Sequence, residues 1–521
     1  MRVFLEDCDL PEKTRAGSRR AGFIVAILLL LIVWGIPGGY LRSHIPAPRT
    51  GLPYQVLVGE EDCPTTLDLV FDDPETSYSL IVSSLGEHTS SYRVHLAAAP
   101  VDRVRTLNVA PLANLAGRSP LVTPRAAPII VNSGQRTASP SSATSAGART
   151  RDFYLHVTDG ALENPQGYVC VRGELLAEGK EARVYLDPQV RKPDLDLACE
   201  LIRLLDETIL PFSREKLGTI RDADADGKLA VLITPWLSRL QGGQTSLQGC
   251  VRSSDLEPEL AAPFSNRGDI LYLNSDLRAG AELENLLAHE ITHLVSFSQR
   301  LPDGQSGRLP DLEDWLNEAV AHLAENLQGN CWANLDYRLA RFLDEPGRSP
   351  LIVPDYYRAG MWRDHGCRGA TYLFLRWCVD QYGEQILPQL LSQPACGKEA
   401  VEAVTGVPFA DLYRYWTVAL LESGAPKTGA DASLIEPKSG SRSGQFKSLN
   451  LRGRIGRECL SGPRVETWDL SGPAKELQIR GTATRFLELS APRLTDGPNV
   501  QRITIQADRG AELQVTLLRR R

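Results

Sequence analysis

The stretch LLAHEITHLVSF, residues 286–297, constrains this chain more than any other. Its leucines, Ile291 and Val295 recur at helical spacing with Leu283, which marks a helix apolar enough to be buried. Yet His289, Glu290 and His293 lie inside it, and burying such groups without partners is costly. A metal ion removes the conflict. Residues four apart share a helix face, so His289 and His293 can turn ring nitrogens onto one ion. Glu290 sits about 100° further round, close enough to reach a water on that ion. Zinc lowers the pKa of such a water, and a neighbouring carboxylate takes its proton as it attacks a polarised carbonyl. Eight histidines in 521 residues would seldom fall into H-E-x-x-H by accident.

Two histidines leave the ion short of ligands, so a third is sought downstream. Residues 312–327, LEDWLNEAVAHLAENL, read as an amphipathic helix opened by Pro310 and Asp311 and stopped by Gly329. Glu318, His322 and Glu325 form a polar stripe on it, either a solvated face or a set of groups turned toward the metal.

HEITH followed by WLNEAVAHLAE resembles the gluzincin metallopeptidases, and more closely the hyicolysin-type secreted peptidases. Residues 222–234, 267–276 and 369–383 are similar to that family as well, so the resemblance covers about 200–420. It implies zinc held by His289, His293 and Glu318, with Glu290 as general base activating water for hydrolysis of a protein or peptide substrate. His322 stands where many members carry an Asp that orients the first histidine. It is read as a group beside the ligands, or as a ligand in place of Glu318. The oxyanion needs a donor as well, and Tyr356, Tyr357, His365, Arg368 and Tyr372 are the candidates. The aminopeptidase signature G-x-M-E-N is absent, which favours an endopeptidase. Two other readings compete: a surface or adhesion module that keeps the scaffold without activity, and a zinc hydrolase of a non-peptide amide. The intact Glu290 favours an enzyme, since a structural zinc has no use for a carboxylate there.

Residues 22–36, GFIVAILLLLIVWGI, are an unbroken apolar run preceded by Lys13, Arg15, Arg19 and Arg20, the pattern of an export signal. The flank GIPGGYLRS offers no good small-x-small cleavage site, which favours an uncleaved membrane anchor over a cleaved signal peptide at 21–40. The positive charges then put residues 1–20 in the cytoplasm and the rest outside it. Nine of the ten cysteines follow the run, an odd number that leaves at least one unbridged within the chain. A net charge of −7 gives no basic excess for nucleic acid, and nothing in the pattern indicates an oligomeric state.

The pattern along the chain is α+β. Residues 51–190 alternate as strands, interrupted at about 101–150 by a Pro, Ser and Ala-rich insertion without apolar periodicity. Residues 191–425 turn to helical spacing with strand candidates at 229–236 and 269–274, and 440–521 alternate again. With the resemblance, the expected fold is a zincin-like, mostly helical catalytic domain with a small sheet, flanked by N-terminal and C-terminal β-rich domains. One further motif stands apart. Asp222, Asp224 and Asp226 alternate like the first half of a calcium loop, but Ile233 occupies the position of the closing Glu, so a hydrophilic turn competes with Ca2+ binding.

Overall fold

A computed structural model describes residues 54–57, 64–73, 75–101, 149–158, 162–240, 246–301, 308–329, 332–424, 445–490 and 499–520. The apolar run at 22–36, the insertion at 102–148 and the linker at 425–444 lie outside the described residues. Among the described residues no helix is long and apolar enough to cross a membrane.

In chain order the strands are β1 (Tyr54–Leu57), β2 (Thr65–Phe71), β3 (Ser77–Ser84), β4 (Ser91–Pro100), β5 (Thr150–His156), β6 (Tyr168–Glu178), β7 (Ala182–Leu186), β8 (Leu229–Thr234), β9 (Gly249–Val251) and β10 (Ile270–Asn274). After the helices come β11 (Arg454–Ile455), β12 (Glu458–Cys459), β13 (Val465–Asp469), β14 (Lys475–Arg480), β15 (Thr484–Ser490), β16 (Asn499–Ala507) and β17 (Leu513–Arg519). The helices are α1 (Leu195–Leu204), α2 (Leu210–Lys216), α3 (Ala281–Gln299), α4 (Asp314–Gly329), α5 (Asp336–Asp344), α6 (His365–Tyr382), α7 (Ile386–Ser392), α8 (Lys398–Thr405) and α9 (Phe409–Glu422).

The architecture is α+β, but the strands divide differently from the expectation. β5, β6 and β7 belong to the helical half, where they continue a six-stranded sheet in the order β5-β6-β7-β8-β10-β9. β8 lies parallel to β7 and β10, and all six of its residues, LAVLIT, are buried, as a central parallel strand requires. The α1–α2 crossover joins β7 to β8, since parallel neighbours need such a connection. A boundary near residue 190 would therefore cut through this sheet.

The two β-rich ends, expected as separate flanking domains, pair with each other. One sheet runs β1-β17-β3-β15-β13 and the other β14-β4-β16-β2. None of β1 to β4 pairs with another of them; each is bonded to strands from the C-terminal end. The reason is visible in the sequence pattern: β4 buries Tyr92, Val94 and Leu96 on alternate positions, and β2 buries Leu67, Leu69 and Phe71 likewise, so the sheet they share has one apolar face. With Ile503 and Ile505 of β16, that face closes on Leu80, Val82, Val515 and Leu517 of the other sheet in one core. This sandwich docks on the helical half through the turn at Thr482, whose carbonyl accepts from the Leu351 amide and the Tyr413 hydroxyl, each at 2.9 Å.

Candidate metal centre and cleft

α3 and α4 pack side by side and carry the polar groups into their interface. Leu283, Leu287, Ile291, Leu294 and Val295 seat α3 in the main core, while Trp315, Leu316, Ala319, Val320 and Leu323 seat α4. His289 and His293 are buried, and Glu318, His322 and Glu325 are 4%, 1% and 1% exposed, so the stripe on the second helix is no solvated face.

Three donor atoms converge. Nε2 of His289 lies 3.1 Å from Nε2 of His293 and 3.3 Å from Oε2 of Glu318, and the His293–Glu318 distance is 3.9 Å. A tetrahedral zinc with bonds near 2.0–2.1 Å sets its ligand atoms about 3.3 Å apart, which these edges approach. The donor set fits such an ion on a second ground. Nδ1 of His289 faces Oε1 of Glu325 at 2.7 Å. A proton held there leaves the Nε2 lone pair aimed at its neighbour on His293, and a cation between the two rings relieves that repulsion.

Glu325 also faces Nδ1 of His322 at 2.8 Å and accepts from the Asn334 amide at 3.2 Å on each oxygen. His322 therefore groups with His289 and Glu325, while the group that includes His293 takes Glu318. Burial penalises the Glu325 charge, but His322 and His289 outweigh it and hold the carboxyl well below its usual range. Burial likewise opposes ionisation of Glu318; Arg368, bonded to Oε2, and the two histidines reverse it, so Glu318 is held ionised. Burial also works against charging His289, yet its bonds to Glu318 and Glu325 leave its pKa raised. His293 is driven far down by burial and by the charge on His289, and His322 is pushed down to about 3 by burial and Arg338.

Glu290, fully buried, follows His289 on the same turn and lines a cleft of about 420 Å3 together with His289, Glu318 and His322. β9 forms the opposite edge. A Cβ at Gly249 would stand 3.2 Å from Leu273, 3.3 Å from Leu286 and 3.4 Å from Cγ of Glu290, so glycine lets this strand approach the helix beside Glu290.

The five oxyanion candidates separate. His365 and Arg368 line the cleft. Tyr356 is buried with its ring 4.3 Å beneath the Arg368 guanidinium, Tyr372 gives its hydroxyl to Asn326 at 3.0 Å, and Tyr357 is exposed on the surface. Sequence reasoning missed Tyr337 and Arg338, which also line the cleft from α5. The one signal was the amphipathic spacing of Leu335, Leu339, Phe342 and Leu343 in a short stretch between loops.

The acidic turn falls elsewhere. Asp222 accepts from the amides of Asp226 and Gly227 at 3.1 Å, Asp224 pairs with Arg151 at 2.8 Å, and Asp226 pairs with Arg183 at 2.6 Å. The carboxylates that come together are Asp222, Asp224 and Asp269, without Asp226, so the calcium half-loop of Asp222, Asp224 and Asp226 is not supported.

No protein-family model matches the chain. Over 211 residues it is 26% identical to the neutral metalloprotease ShpI of Staphylococcus hyicus, across 38% of this chain and 45% of that protein. The chain thus spans less than half the length of this curated relative, and the likeness points to a metalloprotease as the general class.

Proposed function

We propose that the protein is a zinc-dependent peptidase acting on proteins or peptides outside the cytoplasm, and that it cuts within chains. The observation that carries this reading is the convergence of His289 Nε2, His293 Nε2 and Glu318 Oε2 in a buried pocket that opens on a cleft beside Glu290. His289, His293 and Glu318 would hold zinc, which when bound acidifies water and polarises the carbonyl of a peptide bond. Glu290 accepts the proton of the attacking water and passes it to the departing amine. Glu325 holds the proton on Nδ1 of His289 and so keeps Nε2 unprotonated. Arg368 fixes the Glu318 carboxylate. Tyr337 and His365, on the cleft wall with their rings 5.0 Å apart, are assigned as donors to a developing oxyanion, for which the Tyr337 hydroxyl would leave Asn334 Oδ1, to which it donates at 3.3 Å. The export pattern at residues 22–36 is the basis for the compartment.

The test is zinc content and casein hydrolysis of residues 41–521, with Glu290→Gln and Glu318→Ala beside the wild type. One zinc per chain, retained by Glu290→Gln with loss of hydrolysis and lost in Glu318→Ala, is the expected result. A protein that binds zinc but cuts no peptide would leave the scaffold alone, and one that binds no zinc would remove the basis of the reading.

A further inference from the structure

The wall of the cleft built by α5 and the start of α6 carries an excess of positive charge that the site does not use. Arg338, Arg363 and Arg368 line it, while burial lowers the pKa of neighbouring His365, which adds no charge near neutral pH. Arg368 is spent on Glu318. Arg338 is not spent. It makes no ion pair among the described residues; one Nη donates to the Asn334 carbonyl at 2.6 Å, its guanidinium lies 5.2 Å from the Tyr337 ring centroid, and its Nε is buried without a hydrogen-bond acceptor. Arg363 stacks on Trp362 at 4.0 Å and likewise has no carboxylate partner among the described residues.

The carboxylates nearby are otherwise engaged or distant. Glu318 holds Arg368 and the histidines, Glu325 serves His289, His322 and Asn334, and Asp364 caps α6 by accepting from the Cys367 amide. Glu290 sits at the reacting position, and Glu282 lines the pocket from the first turn of α3. A guanidinium does not shed its proton, and Glu325 and Glu318 act on Arg338 only from beyond ion-pair distance, so this largely buried cation is unfavourably placed unless an anion arrives with the ligand. Its flat, forked donors suit a carboxylate.

Resting on the peptidase reading above, we propose that the cleft selects peptides that bring a carboxylate beside the bond to be cut, bound by Arg338 within the wall and assisted by Arg363 at its mouth. Two sources share this chemistry: an Asp or Glu side chain within the peptide, and a free C-terminal carboxylate close to the cleavage point.

Two sets of capped fluorescent decapeptides separate them on the zinc-loaded full chain. In the first, one Glu or its neutral counterpart Gln is moved through every position. In the second, the C-terminus is a free acid or an amide. The acid is expected to win by about 10-fold or more in kcat/KM in one set, in line with a charge-assisted hydrogen bond. Arg338→Gln should bring that ratio toward one, and Arg338→Lys should restore part of it. Anisotropy measurements with the zinc-loaded Glu290→Gln protein read the same preference as affinity, without turnover. Binding preference without cleavage by the wild type would sink the peptidase reading and keep this one. Cleavage with acid and neutral peptides within about twofold of each other in both sets, or an unchanged ratio in an Arg338→Gln protein that melts like the wild type, would overturn the proposal.

Discussion

Glu325 stands 2.7 Å from Nδ1 of His289 and 2.8 Å from Nδ1 of His322, one carboxylate fixing two imidazoles while neither Glu325 nor His322 joins His293 in its donor group. Glu325→Gln keeps the shape but can satisfy only part of this arrangement and removes the charge. Zinc affinity should fall by about 10–100-fold. Competition against a chromophoric chelator measures it, and an affinity within twofold of wild type would show that Glu325 does not position His289.

Gly249 tests how closely β9 is fitted to the base. The methyl of Gly249→Ala would press on Leu273 and Leu286, which must give by a few tenths of an ångström, and would touch Glu290. Peptide hydrolysis should drop by about 10-fold with zinc content unchanged. A fully active Gly249→Ala would mean that the carboxylate tolerates displacement.

Asp269 predicts a pH dependence of stability. Burial, then the charge of Asp224, pushes its carboxyl up to about 7, while its Oδ1 accepts from the Ala223 amide at 3.3 Å. Because its folded pKa lies above the unfolded one, the native state holds more protons across the interval between them, and stability falls as pH rises from about 4 to about 7. Asp269→Asn in chelator-treated buffer should flatten that slope by at most about 4 kcal/mol in total. Urea unfolding at several pH values checks it, and a slope identical in both proteins would rule the assignment out.

The pairing of the two chain ends predicts the fate of a shortened chain. Residues 41–425 keep β2, β3 and β4 but lose every strand that bonds to them. Such a protein should aggregate, since unpaired apolar strands are templates for association. Residues 445–521 produced alongside it should restore solubility. A soluble monomer of 41–425 alone would contradict the shared sandwich.

The sequence and the structure agree most closely where one segment contains its own answer. The helix around His289 and the helix of Glu318 were legible because apolar spacing and polar intrusions sit in the same sixteen or so residues. The strands 66–71, 92–96 and 502–507 were legible as strands for the same reason. Their partners were not, because an alternating pattern states which face is apolar and says nothing about which distant strand covers it. β3 was hidden differently: all but its first residue are buried, so SYSLIVSS shows no alternation. The stripe on α4 was visible as a stripe, yet its burial and the role of Glu325 depend on α3, which lies elsewhere in the chain. Arg338 left no mark, since an arginine on a short amphipathic helix ordinarily faces water.

The Arg502 guanidinium bridges to Asp68 across 434 positions, at 2.6 Å. On a growing chain the early strands emerge first and wait, while the six-stranded sheet and the helices, whose contacts are nearer in sequence, condense ahead of them. The sandwich consequently cannot close until β16 and β17 have been made, hundreds of residues after β2.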